Sequence, residues 1–152
     1  MIKILTLLAL LLPAPLAAQT ISQMLGRWAG EGIAVSNDEP GVRFSCRVRL
    51  SPEGSATALF AGRCATTQGQ QSFAYLVIES DDGSVTAQNR SQPPDSLPLR
   101  LSGSAGAGLV RLQGGENQMF ELSLVEGQLR FRIEGGSADH PTQGEAFLNR
   151  RD

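Results

Sequence analysis

The chain has 152 residues, a length that suits one domain, and its 13 basic and 15 acidic side chains give a net charge of −2. A mildly acidic chain without a long basic run is not expected to bind nucleic acid. With 1 His and 2 Cys, the chain also lacks the ligands of a four-coordinate structural metal site.

The first 18 residues have the pattern of a secretory signal peptide. Lys3 precedes an apolar run, and Ala18 offers a small residue for cleavage. The run is shorter than the roughly 20 residues that cross a bilayer. We therefore predict a signal peptide over residues 1–18 that meets the membrane only before cleavage, and a periplasmic or secreted domain over residues 19–152. That domain carries 12 Arg and 15 acidic residues, a net charge of −3.

Short segments of alternating polarity follow a helical turn predicted over residues 20–25. The alternation is clearest over residues 42–50, and turn-forming residues separate the segments. Loops are predicted at 37–41, 103–108 and 135–144. The predicted strands cover residues 27–36, 42–50, 57–65, 71–79, 85–90, 97–102, 109–113, 119–125, 129–134 and 145–150.

The strand pattern predicts an all-β fold. No helical crossover separates the segments, so neighbouring strands are expected to pair antiparallel. Closing such a sheet removes its exposed edges, which favours a single up-and-down β-barrel of about 8–10 strands with a short N-terminal helical turn. A β-sandwich is the alternative fold.

The two cysteines are predicted to form a disulfide. A hairpin centred on Ser55 places Cys46 opposite Cys64 and Leu50 opposite Phe60. An exported protein meets an oxidising compartment, in which disulfides form. A disulfide that closes a loop of this size stabilises the fold by about 3 kcal/mol. Two reduced thiols in the core are the alternative.

The segment Gly26-Arg27-Trp28 resembles the signature of the lipocalin and calycin group, and its continuation to Gly32 is similar to nitrobindin-type haem-binding barrels. The resemblance implies that Trp28 packs across the closed end of the barrel. It also implies that a basic residue of the last strand, Arg150 or Arg151, stacks on the indole.

The resemblance to nitrobindin-type barrels also suggests haem binding. Nitrobindin-type barrels hold haem through a His near the C-terminus, where this chain reads Glu145 to Arg150 without one. His140, in a predicted loop, is the sole candidate ligand. We therefore expect no cofactor and no metal, and a haem-binding barrel that uses His140 is the second alternative function.

The sequence does not suggest an enzyme. A Ser-His-Asp arrangement would have to use His140 with Asp139, its neighbour in sequence. Such a neighbour does not provide the group that orients a catalytic imidazole from its far side. Asp81 and Asp82 precede Gly83 and read as a hairpin turn.

The preferred function is a barrel that binds a small apolar or lipid-like ligand in its interior. An interaction or inhibitor module that works through the polar loops is the alternative, with an unknown protein partner. Arg43, Arg47 and Arg49 form one strand face that is able to meet an anionic lipid or partner, but pairing with acids across the sheet is the favoured interpretation. The candidate lining residues are Phe44, Val48, Phe60, Tyr75, Leu99, Phe120, Leu122, Phe131 and Phe147.

Overall fold

The computed structural model describes residues 19–36, 39–115 and 117–152, so the predicted signal peptide lies outside the described residues. In that part of the chain no helix is long and apolar enough to cross a membrane. The elements are α1 (Thr20–Gln23), β1 (Gly26–Ser36), β2 (Glu39–Gly54), β3 (Thr57–Ala65), β4 (Gln70–Glu79), β5 (Ser84–Asn89), β6 (Arg100–Gly106), β7 (Leu109–Gln113), β8 (Met119–Val125), β9 (Gln128–Gly136) and β10 (Pro141–Arg151).

The strands form a closed antiparallel barrel in chain order. Each strand pairs with the next, and β1 also pairs with β10, which closes the sheet. The predicted all-β up-and-down barrel is therefore confirmed, and the chain does not adopt the alternative sandwich. Closure gives every strand a partner on both sides, which is how the fold avoids exposed edges.

Several strands, β2 and β10 above all, are longer than the sequence pattern predicts, whereas β3, β7 and β8 have the predicted bounds. Glu39 pairs with Ser36, Gly106 with Leu109 and Pro141 with Gly136, so much of each predicted loop is strand; residues 37 and 38 lie outside the described residues. The ladder of backbone hydrogen bonds needs no apolar side chain, so it continues where the alternation stops.

The hairpin of β2 and β3 has the register that the sequence predicts. Cys46 lies opposite Cys64 and Leu50 opposite Phe60. The two cysteines are joined by a disulfide, with their Cα atoms 4.2 Å apart. The disulfide prediction is confirmed, and it links two strands of the barrel wall.

The helical turn α1 lies against one end of the barrel, at which β1 begins; we call it the Trp28 end. Ile21 and Met24 are buried there, and the indole Nε1 of Trp28 donates a 2.9 Å hydrogen bond to the Met24 carbonyl. The side chain of Glu79 accepts from the backbone N–H groups of Thr20 and Ile21 at 2.9 and 2.8 Å. A buried carboxylate from the wall thus satisfies two of the donors that a helix start leaves unpaired.

Replacing Glu79 with Gln is expected to lower the free energy of unfolding by about 1–3 kcal/mol, because the amide NH₂ replaces one of two acceptors in a buried position. Urea unfolding followed by circular dichroism measures the change. Glu53→Gln, at an exposed end of β2, is the matched control and should stay within about 0.5 kcal/mol of the wild type. Equal stability of the two variants would contradict the capping role.

The segment between β5 and β6 is held by Asp95. Its Oδ1 accepts hydrogen bonds from the Asn89 side chain at 2.7 Å and from the Leu97 backbone at 3.0 Å. Partial burial raises the pKa of Asp95, but hydrogen bonds from Ser91, Asn89 and Leu97 outweigh it and hold the pKa below the usual 3.8. Burial, and then the charge of Asp95, raise the pKa of nearby Tyr75 to about 12.

Asp95→Asn is expected to destabilise the fold by about 1–2 kcal/mol at neutral pH, because the hydrogen bonds favour the charged carboxylate. The lowered folded-state pKa means that this contribution is complete above the ordinary Asp pKa and disappears as the pH falls below it. Unfolding free energies between about pH 3 and pH 7 should therefore converge at the acid end. Asp139→Asn, in an exposed loop, serves as the control; a pH-independent difference for Asp95→Asn would refute the assignment.

Candidate functional site

Most of the predicted lining residues do lie inside the barrel. Six of them are at most 6% exposed, and Phe120 is partly buried against the same core. Their burial follows the alternation of the strands, as the sequence predicts. The six are Phe44, Val48, Phe60, Tyr75, Leu122 and Phe131.

Two predicted lining residues lie outside. Leu99 is 78% exposed, because β6 begins only at Arg100 and the residues before it do not continue the strand alternation. Phe147 is 41% exposed, because its neighbours Ala146 and Leu148 take the inward positions of β10. The sequence placed two apolar residues side by side at 147 and 148, and alternation allows only one of them inside.

Aromatic rings fill the centre of the barrel. The ring centroids of Phe60 and Phe73 are 5.0 Å apart, those of Phe60 and Phe131 5.8 Å, and Phe120 stacks on Phe131 at 6.0 Å. Tyr75 meets Phe120 edge-on at 5.7 Å. These are the separations of packed aromatic pairs in a protein core.

Phe73 is an interior residue that is not among the predicted lining residues. It is 6% exposed, and it lies two residues before Tyr75 on the same inward face of β4. The sequence contains a sign of this position. Residues 71–79 carry apolar side chains at both odd and even positions, and the odd positions, which include Tyr75, face inward.

The Trp28 end has the geometry that the family resemblance implies. The Arg150 guanidinium carbon lies 4.3 Å from the centre of the indole ring, and Nη1 donates to the Leu25 carbonyl at 2.7 Å. Gly26 makes room for it, since a β-carbon there would overlap the guanidinium. Of the two predicted candidates, Arg150 makes this contact, while Arg151 points to the outer wall.

His140 lies in the loop between β9 and β10, at the end of the barrel away from Trp28, and it is exposed. Across residues 19–36, 39–115 and 117–152 there is no group of three or more His, Cys, Asp or Glu side chains that would hold a metal ion.

One side of the outer wall has compensated charges. Glu121 is 5% exposed and pairs with Arg111 at 2.9 Å and with Arg132 at 3.5 Å. Glu145 on β10 pairs with Arg130 on β9, whose Nε lies 3.0 Å from the carboxylate. Acidic and basic residues alternate here from strand to strand, as stabilising cross-strand pairs do.

The adjacent side of the wall differs, and we call it the arginine face: Arg27, Arg47, Arg49, Arg63 and Arg151. Arg27 on β1 lies directly between Arg49 of β2 and Arg151 of β10, and Arg47 lies opposite Arg63 of β3. All five are exposed. Among the described residues no carboxylate lies within 4.0 Å of their guanidinium nitrogens.

The arrangement corrects the favoured interpretation of the arginines. Arg47 faces Ala29 on β1, and Arg49 faces Arg27, so neither has an acidic partner across the sheet. Arg43, further along β2, faces Ile33 and likewise forms no ion pair within the described chain.

An open groove of about 470 Å³ runs across the arginine face. Its floor contains Ala29 and Ala61, the register partners of Arg47 and Arg49. Small side chains beside long ones create the depression, and the arginine stems form its sides. The lining residues are Arg27, Trp28, Ala29, Arg47, Val48, Arg49, Ala61 and Arg151.

The chain shows little similarity to known proteins. No protein-family model matches it, and no curated protein matches it. Among solved structures, EF1p2_mFAP2b bound to DFHBI is 9% identical, with a TM-score of 0.49 over 88% of this chain and 98% of that one. The redesigned β-barrel b11L5F_LGL is 12% identical, with a TM-score of 0.42 over 90% of this chain and 98% of that one.

Proposed function

We propose that this protein is an exported, non-enzymatic binding barrel whose packed interior is a scaffold and whose arginine face binds an anionic ligand. The observation that carries the proposal is the set of uncompensated, mutually opposed arginines. Like charges directly opposite each other on a sheet destabilise it by roughly 0.2–1 kcal/mol for each pair. Three such pairs are present: Arg27 lies opposite two arginines, one on each neighbouring strand, and Arg47 lies opposite Arg63. Violations of this kind concentrate at functional sites.

The packed interior favours an outer binding surface over the predicted lumenal one. A ligand at the centre of the barrel would have to displace the ring contacts of Phe60, Phe120 and Phe131. Close-packed cores resist such displacement.

The loop-mediated alternative has lost much of its support. The predicted loop over residues 135–144 is reduced to residues 137–140, because β9 and β10 extend into it. The arginine face lies on four strands instead, which hold side chains at fixed spacing.

Two further features support the finer parts of the proposal. The stack of Arg150 on Trp28 supports membership of the calycin group. The disulfide between Cys46 and Cys64 suits an oxidising compartment, in keeping with the predicted signal peptide and a periplasmic or secreted location.

Calorimetric titration with inorganic pyrophosphate at low ionic strength tests the arginine face. We expect binding that weakens as salt is added, as screened charges require. Arg27→Gln/Arg49→Gln should weaken it at least tenfold. Removing opposed charges should leave this variant at least as stable as the wild type, so lost binding would not reflect unfolding.

Arg90→Gln/Arg100→Gln makes the same change of charge at exposed positions outside the face and is the matched control. It should bind pyrophosphate within about twofold of the wild type, because only a weak long-range attraction to the anion is lost. Equal weakening in both double variants, or no binding by the wild type, would refute an anion site at the arginine face.

A further inference from the structure

We infer that the ligand of the arginine face is a single-chain anionic amphiphile, with its phosphate or carboxylate head on the guanidinium groups and its alkyl chain in the groove. The inference rests on the proposed function, and it adds the apolar half of the ligand. It is drawn from the composition of the groove, whose charged rim and apolar floor require two different chemistries.

The rim provides the head-group chemistry. Arg27 lies between Arg49 and Arg151 on adjacent strands, which lie about 4.8 Å apart, so the three long side chains leave the sheet side by side and are within reach of one anion. Arginine presents a planar fork of donors that matches carboxylate and phosphate oxygens in bidentate fashion. The nearest carboxylate along β1 is Glu31, which lies one inward–outward repeat beyond Ala29 and opposite Phe147 and Ser45.

The floor provides the chain-binding chemistry. Ala29 and Ala61 are half-buried and have no polar side-chain atom, and the methylene stems of the arginines cover the flanks. A small, fully polar anion would leave this apolar surface in water. An alkyl chain removes it from water, with a gain that grows with each CH₂ group.

The volume sets the size of the ligand. About 470 Å³ lies in the lower half of the range of small-molecule sites, roughly 300–1,000 Å³. The groove is open along its length and crosses only β10, β1, β2 and β3, so it accommodates one chain beside its head group. A flat bilayer would touch the guanidinium rim but would leave the depression between the arginines empty.

The test compares alkyl phosphates below their micelle concentrations. Calorimetric titration of the protein with inorganic phosphate, butyl phosphate and decyl phosphate should show affinity that rises with chain length. In an open groove we expect about twofold for each CH₂, half of the free energy of full burial, and so 10–100-fold between butyl and decyl. Decyl maltoside, with the same chain and no charge, should bind at least tenfold more weakly than decyl phosphate.

Two variants separate head from chain. Arg27→Gln/Arg49→Gln should weaken both pyrophosphate and decyl phosphate. Ala61→Leu fills the floor and keeps every charge, so it should remove the chain-length effect while pyrophosphate still binds. Ser104→Leu, at an exposed outward position of β6, is the matched control for an added apolar side chain and should change neither.

The outcomes distinguish this inference from the proposed function. Arginine-dependent binding of pyrophosphate without a chain-length effect would overturn the amphiphile and leave the anion-binding face standing. If the wild-type protein bound neither pyrophosphate nor decyl phosphate, both the anion-binding face and the amphiphile would be overturned. Equal binding of decyl maltoside, or arginine-dependent binding to phosphatidylglycerol vesicles without binding of monomeric decyl phosphate, would also overturn the inference.

Discussion

Replacing Trp28 with Ala is expected to lower the free energy of unfolding by about 3–5 kcal/mol, the usual cost of removing a large buried aromatic side chain. Trp28 is 2% exposed and closes the end of the barrel under α1. Its loss also removes the hydrogen bond to the Met24 carbonyl and the surface on which Arg150 stacks. The cavity, the Met24 carbonyl left without a donor and the lost stacking of Arg150 all lower the free energy of unfolding.

Trp28→Phe is the informative comparison, because it keeps most of the ring volume and loses the indole N–H. We expect it to cost about 1–2 kcal/mol, mainly for the buried Met24 carbonyl left without its donor. The chain contains a single Trp, so unfolding of both variants has to be followed by circular dichroism in urea rather than by tryptophan fluorescence. A change below 1 kcal/mol for Trp28→Ala would show that the barrel end does not depend on the indole.

The β2–β3 hairpin is the part of the fold that the sequence predicts best. One alternating run, one turn and one returning run fix which residues face inward, and the centre of the turn then fixes the register of Cys46 and Cys64. Everything needed lies within about 20 residues of chain, and a slip by one residue would reverse the faces of both strands.

Closure of the barrel is the part that local patterns do not contain. Arg27 and Arg151 are register neighbours although the whole domain separates them in sequence. The alternating pattern of β2 therefore places Arg43, Arg47 and Arg49 on one face, but it does not identify the residues beside them. The arginine face is the product of the hairpins that join β1 to β2 and β2 to β3, together with the long-range pairing of β1 with β10.

The filled interior was also beyond the reach of the pattern. Alternation states that Phe60, Phe120 and Phe131 point inward, but not how far each is from the opposite wall. That distance depends on how flattened the barrel is and on positions without side chains. Gly30 and Gly32 on β1 are such positions. A strand segment without inward side chains allows the neighbouring wall and its rings to approach.

Gly32→Ala is accordingly expected to destabilise the protein by about 3 kcal/mol or more, a large effect for the addition of one methyl group. A β-carbon at Gly32 would overlap the backbone carbonyl oxygen of Glu145. It would also lie 2.7 Å from both the Ala146 β-carbon and the Phe44 ring. The carbonyl belongs to the paired strand β10 and has no freedom to move, so relaxing the ring alone does not relieve the overlap.

Gly54→Ala is the matched control, since it makes the same change in a strand glycine whose β-carbon would meet only Thr57, at 3.7 Å. This variant should be neutral or up to about 1 kcal/mol more stable, because alanine restricts the unfolded chain. Urea unfolding measures both, and a third variant, Gly32→Ala/Phe44→Leu, shows whether the ring contributes: we expect it to recover no more than a small part of the loss. If Gly32→Ala matched Gly54→Ala in stability, β1 would not approach β10 and Phe44 as closely as the packed interior requires, and a lumen with room for a ligand would again become the better explanation of this barrel.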